Sequence, residues 1–191
     1  MILNKAKSAD AVGASVKKGS GLADGIMGGG IFRFQCFDKD GNLKWEDETH
    51  NLVVNEGLQD MNTKYFKGSG YSAAWYIGLV NNSPTPSYAA GDTLASHAGW
   101  VETTDYSGNR KAVTFGTATT ADPSVIDNSG SVAQFSITGT VTIDGAFLAS
   151  VDTGTSGVLF SVSAFQSPGD RSVVSGDTLN VTYEFSLDAA P

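Results

Sequence analysis

The sequence predicts a mainly β protein: an antiparallel, jelly-roll-like β-sandwich with one short helix and an extended N-terminal arm. Three observations lead there. Charged residues make up only 17% of the 191-residue chain while Gly, Ser and Thr abound, which suits short strands and tight turns rather than a helical bundle. Apolar–polar alternation recurs through most of the chain beyond Gly30, interrupted by Gly, Asn and Asp. Only one segment carries apolar residues at roughly helical spacing. With 40% hydrophobic and 10% aromatic residues the chain can close a core, so one domain with an added arm is the simplest organisation.

Residues 1–30 read as the arm. Small residues dominate and no period emerges. Gly19, Gly21, Gly25, Gly28, Gly29 and Gly30 leave its second half too free to order without a partner or the body of the protein. Leu22, Ile26 and Met27 are its apolar anchors. Lys5, Lys7, Lys17 and Lys18 stand against Asp10 alone over residues 1–20, a net of +3. The whole chain carries -8, so the remainder carries -11. A basic arm on an acidic body can dock electrostatically on an acidic partner; the competing reading is a solvated terminus. The acidic body argues against non-specific nucleic-acid binding.

Residues 31–191 form the sandwich domain. Ile31 to Phe37 alternates through Phe32, Phe34 and Cys36. Asp38 to Asn42 supplies a turn, and Leu43 to Val54 returns, giving a hairpin over 31–54. Asn55 suits an N-cap, Glu56 the first turn, and Leu58, Met61, Tyr65 and Phe66 an apolar spacing. This predicts a helix over 56–66, ended by Lys67-Gly68-Ser69-Gly70. Strands are then expected at Ala74–Val80, Trp100–Tyr106, Lys111–Thr117, Ser131–Ile137, Thr140–Leu148, Gly157–Phe165 and Thr178–Leu187. Val181, Tyr183 and Phe185 fall on one face. The long crossing Asn81–Gly99 favours a jelly roll over a meander.

No residue set points to catalysis, a metal or a cofactor. Asp38, Asp40 and Asn42 begin like a calcium loop, but Leu43 stands where a Gly is needed and Thr49 where a Glu is needed, so they read as a turn. His50 and His97 are the only histidines, and neither has a second ligand at metal-binding spacing. No G-x-S-x-G elbow exists, and Gly28-Gly29-Gly30 lacks the context of a phosphate loop. Glu46, Asp47 and Glu48 read as a solvated or edge-protecting cluster. Cys36 is the single cysteine, which rules out an intrachain disulfide and makes it a small core or edge residue. Neither a membrane-spanning run nor a signal-peptide core is visible, so folding in a reducing cytoplasm is the expectation. Trp45, Trp75, Tyr76 and Trp100 read as core plugs or as stacking platforms for a sugar. Trp100, with His97 in the loop before it, is the one placed most readily at a surface site.

A series of short motifs follows one order along the chain. It runs through Gly41-Asn42-Leu43-Lys44-Trp45, Asn51-Leu52-Val53 and Asn55-Glu56-Gly57-Leu58. It continues in Trp75 to Val80, Asp92-Thr93-Leu94, Gly99-Trp100, Tyr106 and Arg110. Gly145-Ala146-Phe147-Leu148 and Gly176-Asp177-Thr178-Leu179 close it. In that order, over most of residues 30–187, the chain resembles the capsid cement or decoration proteins of tailed bacteriophages. The resemblance implies a non-enzymatic virion structural protein, made in the bacterial host cytoplasm and bound to the outer capsid surface. Its partner would be the major capsid protein, with no nucleic acid, membrane or cofactor involved. Self-association, as a dimer across a two-fold, is also expected. The family does not fix the shell-contacting residues. Lys5, Lys7, Lys17, Lys18, Leu22, Ile26 and Met27 are expected there from charge and apolarity alone. A rival reading is a host-recognition or carbohydrate-binding module at a fibre or head-fibre tip, with Trp100 and His97 forming a sugar site.

Overall fold

The computed structural model describes residues 26–68, 70–71, 73–166 and 169–189. In chain order the elements are β1 (Ile26–Phe37), β2 (Leu43–Val53), α1 (Asn55–Lys67), β3 (Trp75–Asn81), β4 (Val101–Thr103) and β5 (Lys111–Val113). They continue with β6 (Ser124–Asp127), β7 (Ala133–Ser136), β8 (Val141–Ala149), β9 (Leu159–Ser163), β10 (Arg171–Val173) and β11 (Thr178–Ala189). The protein is therefore mainly β with one helix, and its strand pairings are antiparallel.

The strand order is β4-β3-β8-β9-β2-β1-β11-β6, with β5 on β3, β10 on β8 and β7 on β11. Strand β2 belongs to both halves of this path. Up to His50 it pairs with β1, and from Asn51 to Val53 it pairs with β9. The sheet folds over at that point, and its halves enclose the main core. Phe32, Phe34 and Cys36 of β1, Phe135 of β7, and Leu179, Val181 and Tyr183 of β11 come from one half. Ile77, Leu79, Ile143, Leu148 and Phe160 come from the other. The alternation read in β1 is the cause: Phe32, Phe34 and Cys36 are buried while Arg33 and Gln35 between them are not. Burial pushes the Cys36 thiol up to about 12.

The β3-β8-β9 half is covered on its outer face as well. Residues 82–100 lie across it and add Leu94 and Trp100 to Val80, Phe147, Ala149, Leu159 and Val162, a second apolar cluster. That is why β9 is buried throughout. A register shift opposite Leu148 and Ala149 makes Phe160 an extra residue in β9, and its ring enters the main core.

Several expectations shift. The strand expected from Trp100 to Tyr106 is only Val101–Thr103, and the one from Lys111 ends at Val113. Strands β6 and β10 were not foreseen. The arm boundary at residue 30 moves back, because Ile26–Gly30 pairs with Phe185–Ala189 as the start of β1. Helix α1 begins at Asn55 with Val54 as its N-cap, and no side chain caps it. The Asn55 N–H donates instead to the Ala90 carbonyl (2.8 Å). Gly68, at φ 62°, closes the helix in the left-handed conformation, as its position after Lys67 predicted.

The apolar spacing that predicts α1 does not mark the side it buries. Gly57 is buried and lies so close to β9 that a Cβ there would sit 2.4 Å from the Phe160 carbonyl oxygen. That close approach turns the face built on Gly57, Asp60, Met61 and Lys64 inward. Leu58, Tyr65 and Phe66 are left 48%, 83% and 74% exposed.

Candidate functional site

Five of the eight Lys and Arg side chains among the described residues are paired with carboxylates. Arg33 bridges Glu48 (2.8 Å) and Glu184 (2.9 Å) on the outer face of β1, β2 and β11. Asp47 is held by Arg171. Lys44 meets the buried Asp177 at 2.5 Å, and Asp177 also accepts from the Val174 N–H. Arg110 lies almost fully inside. Its Nε and Nη2 grip both Glu102 oxygens at 2.9 and 2.7 Å, Nη1 donates to the Val151 carbonyl, and the guanidinium rests over the Phe147 ring. These are pairs that lock elements together. Arg33, Asp47 and Glu48 line an open pocket of about 460 Å³ with Glu46, Asn180 and Thr182, and Arg33 and Arg171 hold two of its three acids.

Asp38 confirms the turn reading. Its Oδ1 accepts from the Asp40 and Asn42 backbone N–H groups, each at 2.9 Å, with Gly41 at φ 84°. Hydrogen bonds from the Asn42 side chain and backbone hold its carboxyl below the usual carboxylate range. Among the described residues, no group of three or more His, Cys, Asp and Glu side chains is placed to hold a metal ion. No helix among them is long and apolar enough to cross a membrane.

Asp144 is shifted in the opposite direction from Asp38. It is the extra residue where the β3–β8 register shifts, and the Tyr88 hydroxyl donates to its Oδ2. Burial and the neighbouring Asp170 carboxylate push Asp144 up to about 6, against the Tyr88 hydrogen bond. Tyr88 packs on the cluster around Trp100, so this contact fastens residues 82–100 over the sheet. Glu56 fastens the same segment from α1, its Oε2 accepting from the Leu94 and Leu159 N–H groups.

Trp100 is therefore not a surface platform. Its side chain is 2% exposed, its ring packs on Phe147, and its Nε1 donates to Asp92. His97 stacks on it at 3.9 Å and contacts the Trp100 carbonyl through Nδ1. The expected Trp100–His97 sugar site is corrected on this ground: the face a sugar would need is occupied by the protein. Trp45, Trp75 and Tyr76 are half-buried, and Trp45 and Trp75 pack against the main core.

The four most exposed large apolar side chains among the described residues, Tyr65, Ile26, Phe66 and Met27, lie on α1 and at the start of β1. Leu58, Tyr65 and Phe66 project from α1, with Tyr65 and Phe66 in edge contact at 5.0 Å. Tyr71 follows, 51% exposed, receiving the Trp75 indole N–H at 2.8 Å and facing the Lys64 ammonium. A shallow groove of about 190 Å³ runs between Asp60, Lys64, Tyr71 and Trp75. Ile26 and Met27 open β1 at 75% and 56% exposure. The two sets flank one end of the sandwich. Gly28 lies against Phe185, Phe185 meets Phe160 at 5.3 Å, and Phe160 meets Gly57 and Trp75. Of the residues expected to touch a partner, Ile26 and Met27 are thus exposed on an ordered strand. Lys5, Lys7, Lys17, Lys18 and Leu22 lie outside the described residues. The spacing of Leu58, Met61, Tyr65 and Phe66 predicts the helix but not which of its sides faces solvent.

Fold and surface together define a mainly β protein with antiparallel strand pairings and exposed aromatic side chains on its one helix. Compared with protein-family models, curated proteins and solved structures, the chain matches none.

Proposed function

We propose that this chain is a virion structural protein that binds the outer surface of an assembled phage capsid and stabilises it by bridging major capsid subunits. The observation that carries the reading is the exposed apolar end. Tyr65, Phe66 and Leu58 stand beside the start of β1, where the lysine-bearing residues join an otherwise acidic body. Exposed aromatics grouped in this way mark association surfaces. The order of short motifs from Gly41 to Leu179, resembling capsid cement proteins, supplies the partner.

The mechanism is linkage. A protein that binds only the assembled shell stabilises it by RT ln(1 + [L]/Kd) at each site, and many sites act together. Apolar contact through α1 supplies affinity, and the lysines of residues 1–20 supply attraction to acidic shell residues.

The test mixes the purified protein with expanded, undecorated capsids and follows co-sedimentation and the shell's disruption temperature. Saturable binding with a raised disruption temperature is expected. Absence of binding would overturn the reading. Binding without stabilisation would turn it toward host recognition, to be pursued with glycan arrays.

A further inference from the structure

The margins of the sheet are unequal. Strands β4, β5, β6, β7 and β10 are three or four residues long, too short to template another strand well. Lys111, Asp127 and Arg171 add charge to β5, β6 and β10. The start of β1 is different. Ile26 to Gly30 pairs with Phe185–Ala189 on one side only. On the other side the β1–β2 ladder begins at Ile31 and His50, and β2 then leaves to join β9. No other described strand pairs with that side. The five residues Ile26-Met27-Gly28-Gly29-Gly30 hold no charge, no proline and, at three positions, no side chain. Among the described residues, no charge, proline or further strand blunts this edge.

We infer that this edge pairs with the same edge of a second copy, giving a two-fold dimer with one sheet continuous across it. The inference does not depend on the capsid reading. Backbone geometry limits the register. In a strand, alternate residues point their N–H and C=O groups to the same side, so identical strands pair antiparallel only when the two paired residue numbers sum to an even number. The register that uses the whole free stretch sets Gly28 opposite Gly28, Met27 opposite Gly29 and Ile26 opposite Gly30. The interface is isologous and closes at two copies.

Charge permits the same arrangement: Ile26 to Gly30 carries none, so two copies of an acidic chain bring no like charges face to face along this edge.

The variant that tests this is Met27→Lys with Gly29→Lys. A Cβ at Gly29 meets nothing within 4 Å, and Met27 is mostly exposed and stands opposite Asp188, so the single copy tolerates both changes. In the dimer, position 27 of each copy pairs with position 29 of the other, so the introduced ammonium groups face one another twice over. Sedimentation equilibrium on the full chain should show a monomer–dimer equilibrium for the natural sequence. The double lysine variant should weaken it about tenfold or more while circular dichroism and melting stay unchanged. Met27→Cys with Gly29→Cys should cross-link as a dimer under mild oxidation. A chain monomeric up to about 1 mM would overturn the inference. So would a dimer indifferent to the two lysines, or an assembly that does not stop at two. A monomer whose Ile26–Gly30 amides resist hydrogen exchange would also overturn it, placing residues 1–25 of the same chain on the edge.

Discussion

Replacing Arg110 by alanine should destabilise the fold by about 3 kcal/mol, because its guanidinium satisfies a carboxylate that has little else to pair with. The Arg110 side chain is 5% exposed and its partner Glu102 22% exposed. Removing the guanidinium takes away the bidentate pair at 2.9 and 2.7 Å, the hydrogen bond to the Val151 carbonyl and the contact with the Phe147 ring. What remains is a carboxylate facing Tyr106 and Phe147 with one long hydrogen bond, from the Tyr106 hydroxyl at 3.4 Å. An unpaired buried charge costs roughly 3–5 kcal/mol, and the partial exposure of Glu102 puts this case at the low end. For a chain of this size the melting temperature should fall by about 6–12 °C. Urea unfolding of R110A, with m unchanged, measures the loss directly. The double variant Glu102→Leu with Arg110→Met should recover most of it, because both charges leave together. A loss below about 1 kcal/mol in R110A would refute the reasoning. So would a double variant no more stable than the single one, since the pair would then not be the structural lock described.

Two further outcomes can be measured on the same protein. Asp144 sits at about 6, above its ordinary 3.8, so between those pH values the folded protein holds a proton that the unfolded chain has released. This group's contribution to stability is therefore fully present below the lower value and is lost as pH rises through 6. Asp144→Asn should remove that slope from the pH dependence of urea midpoints while still accepting the Tyr88 hydroxyl. An unchanged slope would show that Asp144 ionises normally. Tyr65→Ser with Phe66→Ser should leave stability within about 0.5 kcal/mol, because both rings are exposed. The same change should weaken capsid binding roughly thirtyfold, the loss of a hot spot of about 2 kcal/mol. Undiminished binding would remove α1 from the contact surface.

The parts of the fold legible in the sequence are those encoded by neighbours in the chain. The β1–β2 hairpin is written in the alternation of Phe32, Phe34 and Cys36 and in the hydrogen-bonding habits of Asp38 and Asn42. The C-terminus of α1 is written in Gly68. What was not legible depends on approach between distant segments. Gly57 seats the helix on Phe160 and so decides its buried side, leaving Tyr65 exposed, which the spacing of apolar residues alone does not encode. Residues 82–100 build a second core on the outside of the sheet, and a Trp that follows a long loop reads as exposed until that packing is known. Strands β6 and β10 are four and three residues long, below the length at which alternation declares itself. For the candidate surface, composition flagged Ile26 and Met27, but the free edge they stand on depends on where β2 turns away, which no local pattern encodes.

The distribution of positive charge bears on where a partner sits. Within the sandwich, Arg33, Lys44, Arg110 and Arg171 are all committed to carboxylates, and Lys39 to Asp40. Lys111 donates to the Ser107 carbonyl and lies over Tyr106 and Phe135. Lys64 and Lys67 of α1 have no carboxylate partner among the described residues, and Lys5, Lys7, Lys17 and Lys18 precede β1. Among the described residues of this acidic chain, the cations without a carboxylate partner and left for an outside surface therefore lie on the helix that displays Tyr65 and Phe66. An aromatic patch bordered by uncommitted lysines favours a partner with both apolar surface and acidic groups. The proposed self-pairing through Ile26–Gly30 and the proposed partner binding through Tyr65 and Phe66 would use separate residues, with Phe185 and Phe160 packed between Gly28 of β1 and Gly57 of α1. A dimer formed through the β1 edges would then present two α1 surfaces related by a two-fold, and two linked contacts resist dissociation far more than one.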